Sequence, residues 1–469
     1  MNTRSPTECP SWAQLAQHAE SWRGVHLRAL FAADSARGRQ FVAEAPGLRY
    51  DYSRQRLGAM TLRLLAHLAA ERGFAEWREA LLAGSKINTT ENRAAWHTAL
   101  RAGDSAPREV KETLTRMQSL ASSLRETHRF KRIVNLGTGG SDLGPRLLAD
   151  ALGDAVLDVR FAANVDPRDL GRALEGAQPA TTLFIVVSKT FTTQETMANA
   201  AAAKQWGAKN FYAVTANVDA AKAFGVSEIL PMWDWVGGRF SLWSAVGFAA
   251  ACAMGFDAFE QFLQGGRDID QHFAREPLEK NVPALMALIG VWNTNFLAAP
   301  THAVLAYANA LRLLPAYLQQ LEMESNGKRI DREGRLVDYA TVPILWGGEG
   351  AVSQHSFHQL LHQGTHVVPA DFIDVAEDVV LSANLQAQAD ALAHGTDDAK
   401  LPAHKQYPGN RPSSVLYFDK VSARNLGRLL ALYEHKLFTQ GVLWNINSFD
   451  QFGVELGKEL ATKLLTGER

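Results

Sequence analysis

The apolar run Leu183-Phe-Ile-Val-Val187 passes directly into Ser188-Lys-Thr190-Phe-Thr-Thr193, and then into an alanine-rich segment from Gln194 to Ala203. An unbroken apolar run bounded in this way predicts a buried parallel strand. The alanine-rich segment predicts a helix. Thr192 and Glu195 have capping-box spacing, which puts the helix N-terminus in the loop between them. Unused backbone N–H groups and the positive end of the helix dipole would then point into that loop. The hydroxyls of Ser188, Thr190 and Thr193 stand around the same point. Two readings stay open here: a cup for a phosphate group, or a polar strand-to-helix loop with a good cap.

The same strand-then-helix pattern recurs on either side. Arg132 to Leu136 reads as a strand, and Gly137-Thr-Gly139-Gly140-Ser141-Asp142-Leu-Gly144-Pro145 as a glycine-rich turn entering a helix. Glycines let the backbone approach a ligand closely, and Ser141 can cap the helix or touch that ligand. The dinucleotide fingerprint needs glycine where Asp142 stands, so hydride transfer is disfavoured. Asp158 to Ala162 and Phe211 to Thr215 are further strand candidates, each followed by helix-like sequence. The pattern predicts a doubly wound α/β domain with two helix-entry loops near one ligand. Before it, residues 11–102 read as mostly helical, interrupted by a short extended piece at 48–53. The segment from Gly84 to Arg101 reads as a turn followed by a helix; its Asn, Thr, Arg and His residues either line a site or form a cap and a solvated face. A second α/β region runs from about 281 to 443, beginning with a helical run from Thr301 to Leu321.

Several side chains in these regions could carry chemistry. Gly237 and Gly238 permit close backbone approach, and Arg239 follows at the opening of a helix; it either faces a pocket or is buried against Asp234. Gln320 and Glu324 are four apart on one helical face, and Asn326-Gly327 reads as the stop of that helix. Glu322 lies on another face, where a solvated acid is expected. The negative end of the helix dipole would raise the pKa of Glu324, which suits a base that accepts a proton near neutral pH. His355, His358 and His362 share a predicted helix, and their spacing leaves metal binding, acid/base chemistry and plain packing all open. Gln451, Glu455 and Lys458 fall on one helical face, where Lys458 serves a site or pairs with Glu455 at the surface.

Composition removes other classes. A net charge of −1 provides no field for nucleic acid or anionic lipid. The two cysteines, Cys9 and Cys252, are too few for a disulfide framework and fit a reducing compartment. No apolar run reaches the ~20 residues of a membrane span, and residues 1–10 lack the apolar core of a signal peptide. A cytoplasmic location is the expectation.

Taken together, these stretches resemble the phosphoglucose isomerase family. The resemblance runs from about Tyr50 to Lys458. Its most specific parts are Gly139 to Pro145, Ser188 to Asn199, Asp234 to Ser241, Tyr317 to Lys328, Gln354 to Thr365 and Ser448 to Lys458. It implies an α/β chain with two sugar-isomerase (SIS-type) subdomains, each a parallel sheet flanked by helices. The expected division is an N-terminal helical segment over 1–105, a first subdomain over 106–278 and a second over 279–469.

The resemblance also implies reversible conversion of glucose 6-phosphate to fructose 6-phosphate in glycolysis and gluconeogenesis, with no cofactor or metal. It implies a homodimer with shared active sites. By matching motifs, Ser188, Thr190 and Thr193 hold the phosphate with Lys189 beside them. Gly140, Ser141 and Gly238 line the sugar, and Gln320 and Gln451 hold substrate. Glu324 moves a proton between carbons 1 and 2, Arg239 faces the enediolate oxygen, and His355 and Lys458 assist ring opening, His355 from the neighbouring subunit. Thr138, Asn445 and the run from Gly347 to Ser353 depart from the family's usual residues. The alternatives are a phosphosugar-binding sensor without turnover and an isomerase that also accepts mannose 6-phosphate.

Overall fold

The computed structural model describes residues 4–396, 398 and 400–466. Strands β1 (Val42–Ala45) and β2 (Leu48–Asp51) come first. Then follow β3 (Arg132–Leu136), β4 (Asp158–Ala162), β5 (Thr182–Val187), β6 (Phe211–Thr215) and β7 (Glu228–Pro231). These last five form one sheet, ordered β4-β3-β5-β6-β7, with every neighbouring pair parallel. All residues of β5 are buried, as its unbroken apolar run predicts.

From β3 the chain passes to β4 on one side and returns to β5 on the other. The carboxyl ends of adjacent β3 and β5 therefore flank the crevice where open parallel sheets bind ligands. The glycine-rich turn leaves β3 and the Ser188 loop leaves β5, so the two predicted helix-entry loops meet at one place.

A second sheet contains β8 (Thr301–Tyr307), β9 (Ile344–Glu349), β10 (Ala370–Val375) and β11 (Ser413–Phe418), which pair parallel with one another. Its order is β1-β2-β11-β10-β8-β9. The short extended piece in the N-terminal region is β2, which pairs antiparallel with β11 and carries β1 at the sheet edge. Helices Pro10–Glu20, Leu27–Ala33, Ala59–Glu71 and Phe74–Leu82 lie in the rest of that region, joined by turns and loops.

Two expectations are corrected. The helical run over Thr301 to Leu321 is instead strand β8, followed by a helix only at Leu314–Gln319. Short apolar runs do not distinguish strand from helix by periodicity, and here ladder pairing to β10 on one side and β9 on the other decides. The segment from Gly84 to Arg101 is not a turn and helix. It closes an antiparallel bridge between Asn88 and Arg93 and makes one 3-10 turn, His97–Arg101. The Asn88 amide is engaged by Glu91 and Asn447 rather than by a helix end.

The helix Ala423–Leu443 is buried along almost its whole length. It packs against Phe256–Arg275 where glycines allow backbone contact: a Cβ on Gly265 would strike the carbonyl of Arg424, and one on Gly427 that of Phe262. Its charged residues are paired, as burial requires. Glu434 accepts from Arg101 Nη1 (2.6 Å) and Trp243 Nε1 (2.7 Å). Asp270 receives Arg101 and His435, which hold its carboxyl far below the usual range despite burial.

After this helix Asn445 adopts φ 58°, a conformation asparagine tolerates better than most residues. Its amide accepts from Arg72 (2.9 Å) and donates to Asp331 (3.3 Å). An aspartate here, with no N–H to donate, could not make the second bond. The chain thus turns back and delivers residues 447–451 to the crevice.

Candidate active site

Three turns converge beside the crevice. Gly139–Ser141 forms a 3-10 turn after β3. Gly139 has φ 59°, and a Cβ there would lie 2.9 Å from Gln320 Nε2. A Cβ on Gly140 would collide with the Gly238 carbonyl. Only glycine permits this packing, which brings Gly140, Ser141, Gly238 and Gln320 into one wall.

Gln320 and Glu324 bound a π-helical turn, Gln320–Glu324, continuing the helix Leu314–Gln319. Such single π turns are frequent at functional sites. The helix ends at Asn326-Gly327, as expected.

Arg239 lies in the 3-10 helix Gly238–Trp243 and is only 3% exposed. Its Nε donates to Ser325 Oγ (2.6 Å) and its Nη1 to Gln451 Oε1 (2.9 Å). Nη2 donates to the carbonyls of Ser448 (2.5 Å) and Asp450 (3.2 Å). Nη1 stands 3.5 Å from Glu324 Oε2. Burial lowers the guanidinium pKa, and the carboxylates of Glu324 and Asp450 oppose that shift. The alternative pairing with Asp234 is not seen: Asp234 is 3.3 Å from Lys189 Nζ and 4.0 Å from Arg93 Nη1.

Around the Ser188 loop, the Ser188 and Thr193 hydroxyls are 2.9 Å apart and those of Thr190 and Thr192 are 2.7 Å apart. The following helix is Gln194–Gln205, with Thr193 as its N-cap and no side-chain cap bond. The helix therefore starts one residue later than the Thr192–Glu195 spacing predicts, because Thr192 is engaged by Thr190. A helix end without a side-chain cap offers its N–H groups to a ligand. Lys189 is drawn toward the Asp234 and Val236 carbonyls (3.3 and 3.5 Å). A cavity of about 530 Å³ extends from Lys189, Thr190, Gly238 and Gln451 to Asn88, Arg93 and His97.

Not every predicted residue arrives here. His355 lies exposed in the turn between the short helices Gly350–Ser353 and His358–Gln363, so the three histidines do not share one helix. His358 and His362 are buried and both face Gln388 Oε1 (3.2 and 2.7 Å), with His358 also 3.1 Å from Ser353 Oγ. They belong to packing. Among the described residues there is no cluster of three or more His, Cys, Asp or Glu that could hold a metal ion.

Gln451 lies before the final helix rather than on it, and Lys458 sits on that helix, Glu455–Thr466, which has no buried residue. Glu322 is not a solvated acid. It is fully buried, with both oxygens on Lys436 Nζ (2.7 and 2.8 Å).

The sequence reading missed Ser325 and Ser448, which hold Arg239, and Lys328 and Asp450 behind them. The available signal was nearness in sequence: Ser325 and Lys328 follow Glu324 within four residues, and Ser448 and Asp450 precede Gln451 within three. Glu91, His97 and Asn217 also line the cavity.

The sequence model of the family described as "Phosphoglucose isomerase" matches residues 51–468. The chain is 46% identical to the glucose-6-phosphate isomerase of Dechloromonas aromatica (strain RCB), with 98% of this chain and 95% of the relative covered. It is also 46% identical to that of Deinococcus deserti, covering 98% and 94%. The crystal structure of a glucose-6-phosphate isomerase from Chlamydia trachomatis superposes with a TM-score of 0.93 at 37% identity, covering 99% of this chain and 96% of that one.

Proposed function

The chain belongs to the phosphoglucose isomerase family, and on that premise we propose how its residues divide the work of one reaction, the reversible isomerisation of glucose 6-phosphate to fructose 6-phosphate. The enzyme is an aldose–ketose isomerase of glycolysis and gluconeogenesis, and the reaction runs through an enediolate. Such an exchange needs a carboxylate that reaches both carbons, a cation for the enediolate, an acid/base for the ring oxygen and an anchor for the phosphate. The overall change is redox-neutral and moves one proton between carbons, so this reading calls for neither cofactor nor metal.

Glu324 is the base that carries the proton between carbons 1 and 2. Arg239 faces the enediolate oxygen. Ser188, Thr190 and Thr193, with Lys189 beside them, hold the phosphate at the open helix end, and this remote binding orients the reacting carbons. Gly140, Ser141 and Gly238 line the sugar, and Gln320 and Gln451 hold its hydroxyls. Lys458 and a histidine, His355, assist ring opening. The observation that carries the assignment is the 3.5 Å approach of Arg239 to Glu324 beside the crevice.

His355 is exposed on its own chain, so a homodimer with shared active sites is part of the proposal. Exposed apolar side chains near His355 (Val352 and Leu360) and along the last helix (Leu456, Leu460 and Leu464) support a covering subunit. The division into segments 1–105, 106–278 and 279–469 is proposed with it. So is a cytoplasmic location, supported by two buried free cysteines. No helix among the described residues is long and apolar enough to cross a membrane.

A coupled assay of the purified protein with fructose 6-phosphate in the presence of a chelator tests the reading. Glucose 6-phosphate should form at an enzymatic rate; binding without turnover would leave only a sensor. Mannose 6-phosphate in the same assay measures substrate range.

A further inference from the structure

Lys328 follows Glu324 by four residues, just past the helix stop. Its Nζ lies 2.8 Å from Asp450 Oδ1 and donates to the Asn447 carbonyl. The other carboxylate oxygen of Asp450 accepts from Thr90 Oγ1 (2.6 Å) and from Asn447 Nδ2 (2.8 Å). Asn447 Nδ2 also reaches Asn88 Oδ1 (3.0 Å). The side chains of Lys328 and Asp450 are 18% and 8% exposed. The turn 447–451 is thus fastened on its outer side by Lys328, Thr90 and Asn88. On its inner side it gives the Ser448 carbonyl, the Asp450 carbonyl and Gln451 Oε1 to the Arg239 guanidinium. Three of the four acceptors of the Arg239 guanidinium thus belong to this turn, the fourth being Ser325 Oγ, so a shift of the turn would pull on the arginine.

We propose that Lys328 and Asp450 are positioning residues for the isomerisation, pinning the 447–451 turn so that Arg239 stays aimed at the reacting carbons beside Glu324. The proposal rests on the roles assigned above to Arg239 and Glu324. A Coulombic pair is suited to this task because it is strong where water is scarce, and misplacing a catalytic group by about 1 Å can cost roughly 10²-fold in rate. Neither residue needs to touch substrate.

A pH readout follows from the surroundings of the lysine. Burial pushes the Lys328 ammonium down to about 8; the hydrogen bond and charge of Asp450 oppose this, Arg239 adds to it, and Glu324 opposes it. Above that pH the amine is neutral and the turn loses its fastening ion pair. The free enzyme's kcat/KM should therefore fall on the alkaline side near pH 8. An arginine at this position stays charged throughout.

The test compares Lys328→Met, Lys328→Arg and Asp450→Asn with wild type, using fructose 6-phosphate. Lys328→Met should lower kcat at least about tenfold while KM rises by no more than about threefold, because Gln451 shifts with the turn but the phosphate cup, the main anchor, is untouched. Lys328→Arg should keep more of kcat than Lys328→Met and move the alkaline limb upward by about one pH unit or more. A purely structural role would lower stability without this kcat–KM split or the moved limb. Wild-type kcat in Lys328→Met, or an unmoved limb in Lys328→Arg, overturns the proposal. Where the lysine variants do not fold, Asp450→Asn decides: lower kcat with retained KM supports it, and unchanged kcat overturns it. Glu324→Gln is measured alongside. Full activity there overturns the functional reading itself, whereas an inert Glu324→Gln with an unaffected Lys328→Met overturns this inference alone.

Discussion

Arg239 Nη1 and Glu324 Oε2 stand 3.5 Å apart, although their residues reach this point by separate routes. Arg239 comes from a 3-10 turn after the first sheet, and Glu324 from a π turn in the crossover between β8 and β9. The arginine is spent on Ser325, Ser448, Asp450 and Gln451, so it is held rigidly rather than neutralised by Glu324 alone. A fixed cation that needs no reorganisation is what a developing enediolate charge requires.

Glu324→Gln should lower turnover by roughly 10²-fold or more with the protein still folded. The amide cannot take up the carbon-bound proton, so exchange of the carbon-2 hydrogen with solvent should vanish together with turnover. Near-normal turnover in this variant would remove Glu324 from its role.

The proposed phosphate role of the Ser188 loop makes a separable prediction. Ser188 and Thr193 share a hydroxyl contact at an uncapped helix end, and the cup holds a single lysine. Hydroxyls and helix N–H groups should therefore do most of the phosphate binding. Ser188→Ala and Thr193→Ala should each weaken phosphorylated inhibitors in a competition assay and leave unphosphorylated polyols unaffected. Equal losses for both ligand classes would refute the assignment.

Legibility in the sequence followed the locality of the signal. β5 and its helix were readable because a short β-branched apolar run, a polar loop and an alanine run follow one another directly in the chain, each a local compositional signal. The glycine-rich turn was readable because Gly139 and Gly140 meet a steric need that no other residue satisfies. Strand β8 was not, since its identity comes from β9 and β10 on either side, far away in sequence. Glu322 misled for the same reason: its partner Lys436 lies on the buried helix Ala423–Leu443, 114 residues away. The fastening of Arg239 by Ser448 and Asp450 is likewise a tertiary fact, written in no local pattern.

The Glu322–Lys436 pair predicts a stability pattern. Both side chains are almost fully buried, at 1% and 5% exposure, with two short bonds between them. Lys436→Met leaves a carboxylate buried without its partner and should cost about 3–5 kcal/mol in denaturant unfolding. The double change Glu322→Leu with Lys436→Met removes both charges and should be clearly less destabilising than the single one. If the single variant unfolds at the wild-type midpoint, the pair contributes nothing.

The exposed position of His355 leads to the last prediction. His355 lies exposed in a turn and does not line the cavity formed by Lys189, Thr190 and Gln451. If it serves a site, that site belongs to a second copy of the chain, and in a twofold dimer the contribution is reciprocal. Consider one chain carrying Glu324→Gln and another carrying His355→Ala. Each homodimer should be nearly inactive. In a heterodimer, one site combines the intact Glu324 of one chain with the intact His355 of the other, while the second site carries both defects. Random co-assembly makes half of the dimers mixed, each with one good site of two, so activity should recover to roughly a quarter of wild type. Co-expression with distinguishable tags measures both the mixed dimers and their activity. Mixed dimers that form but show no activity above the two homodimers would mean that His355 does not act across the subunit boundary.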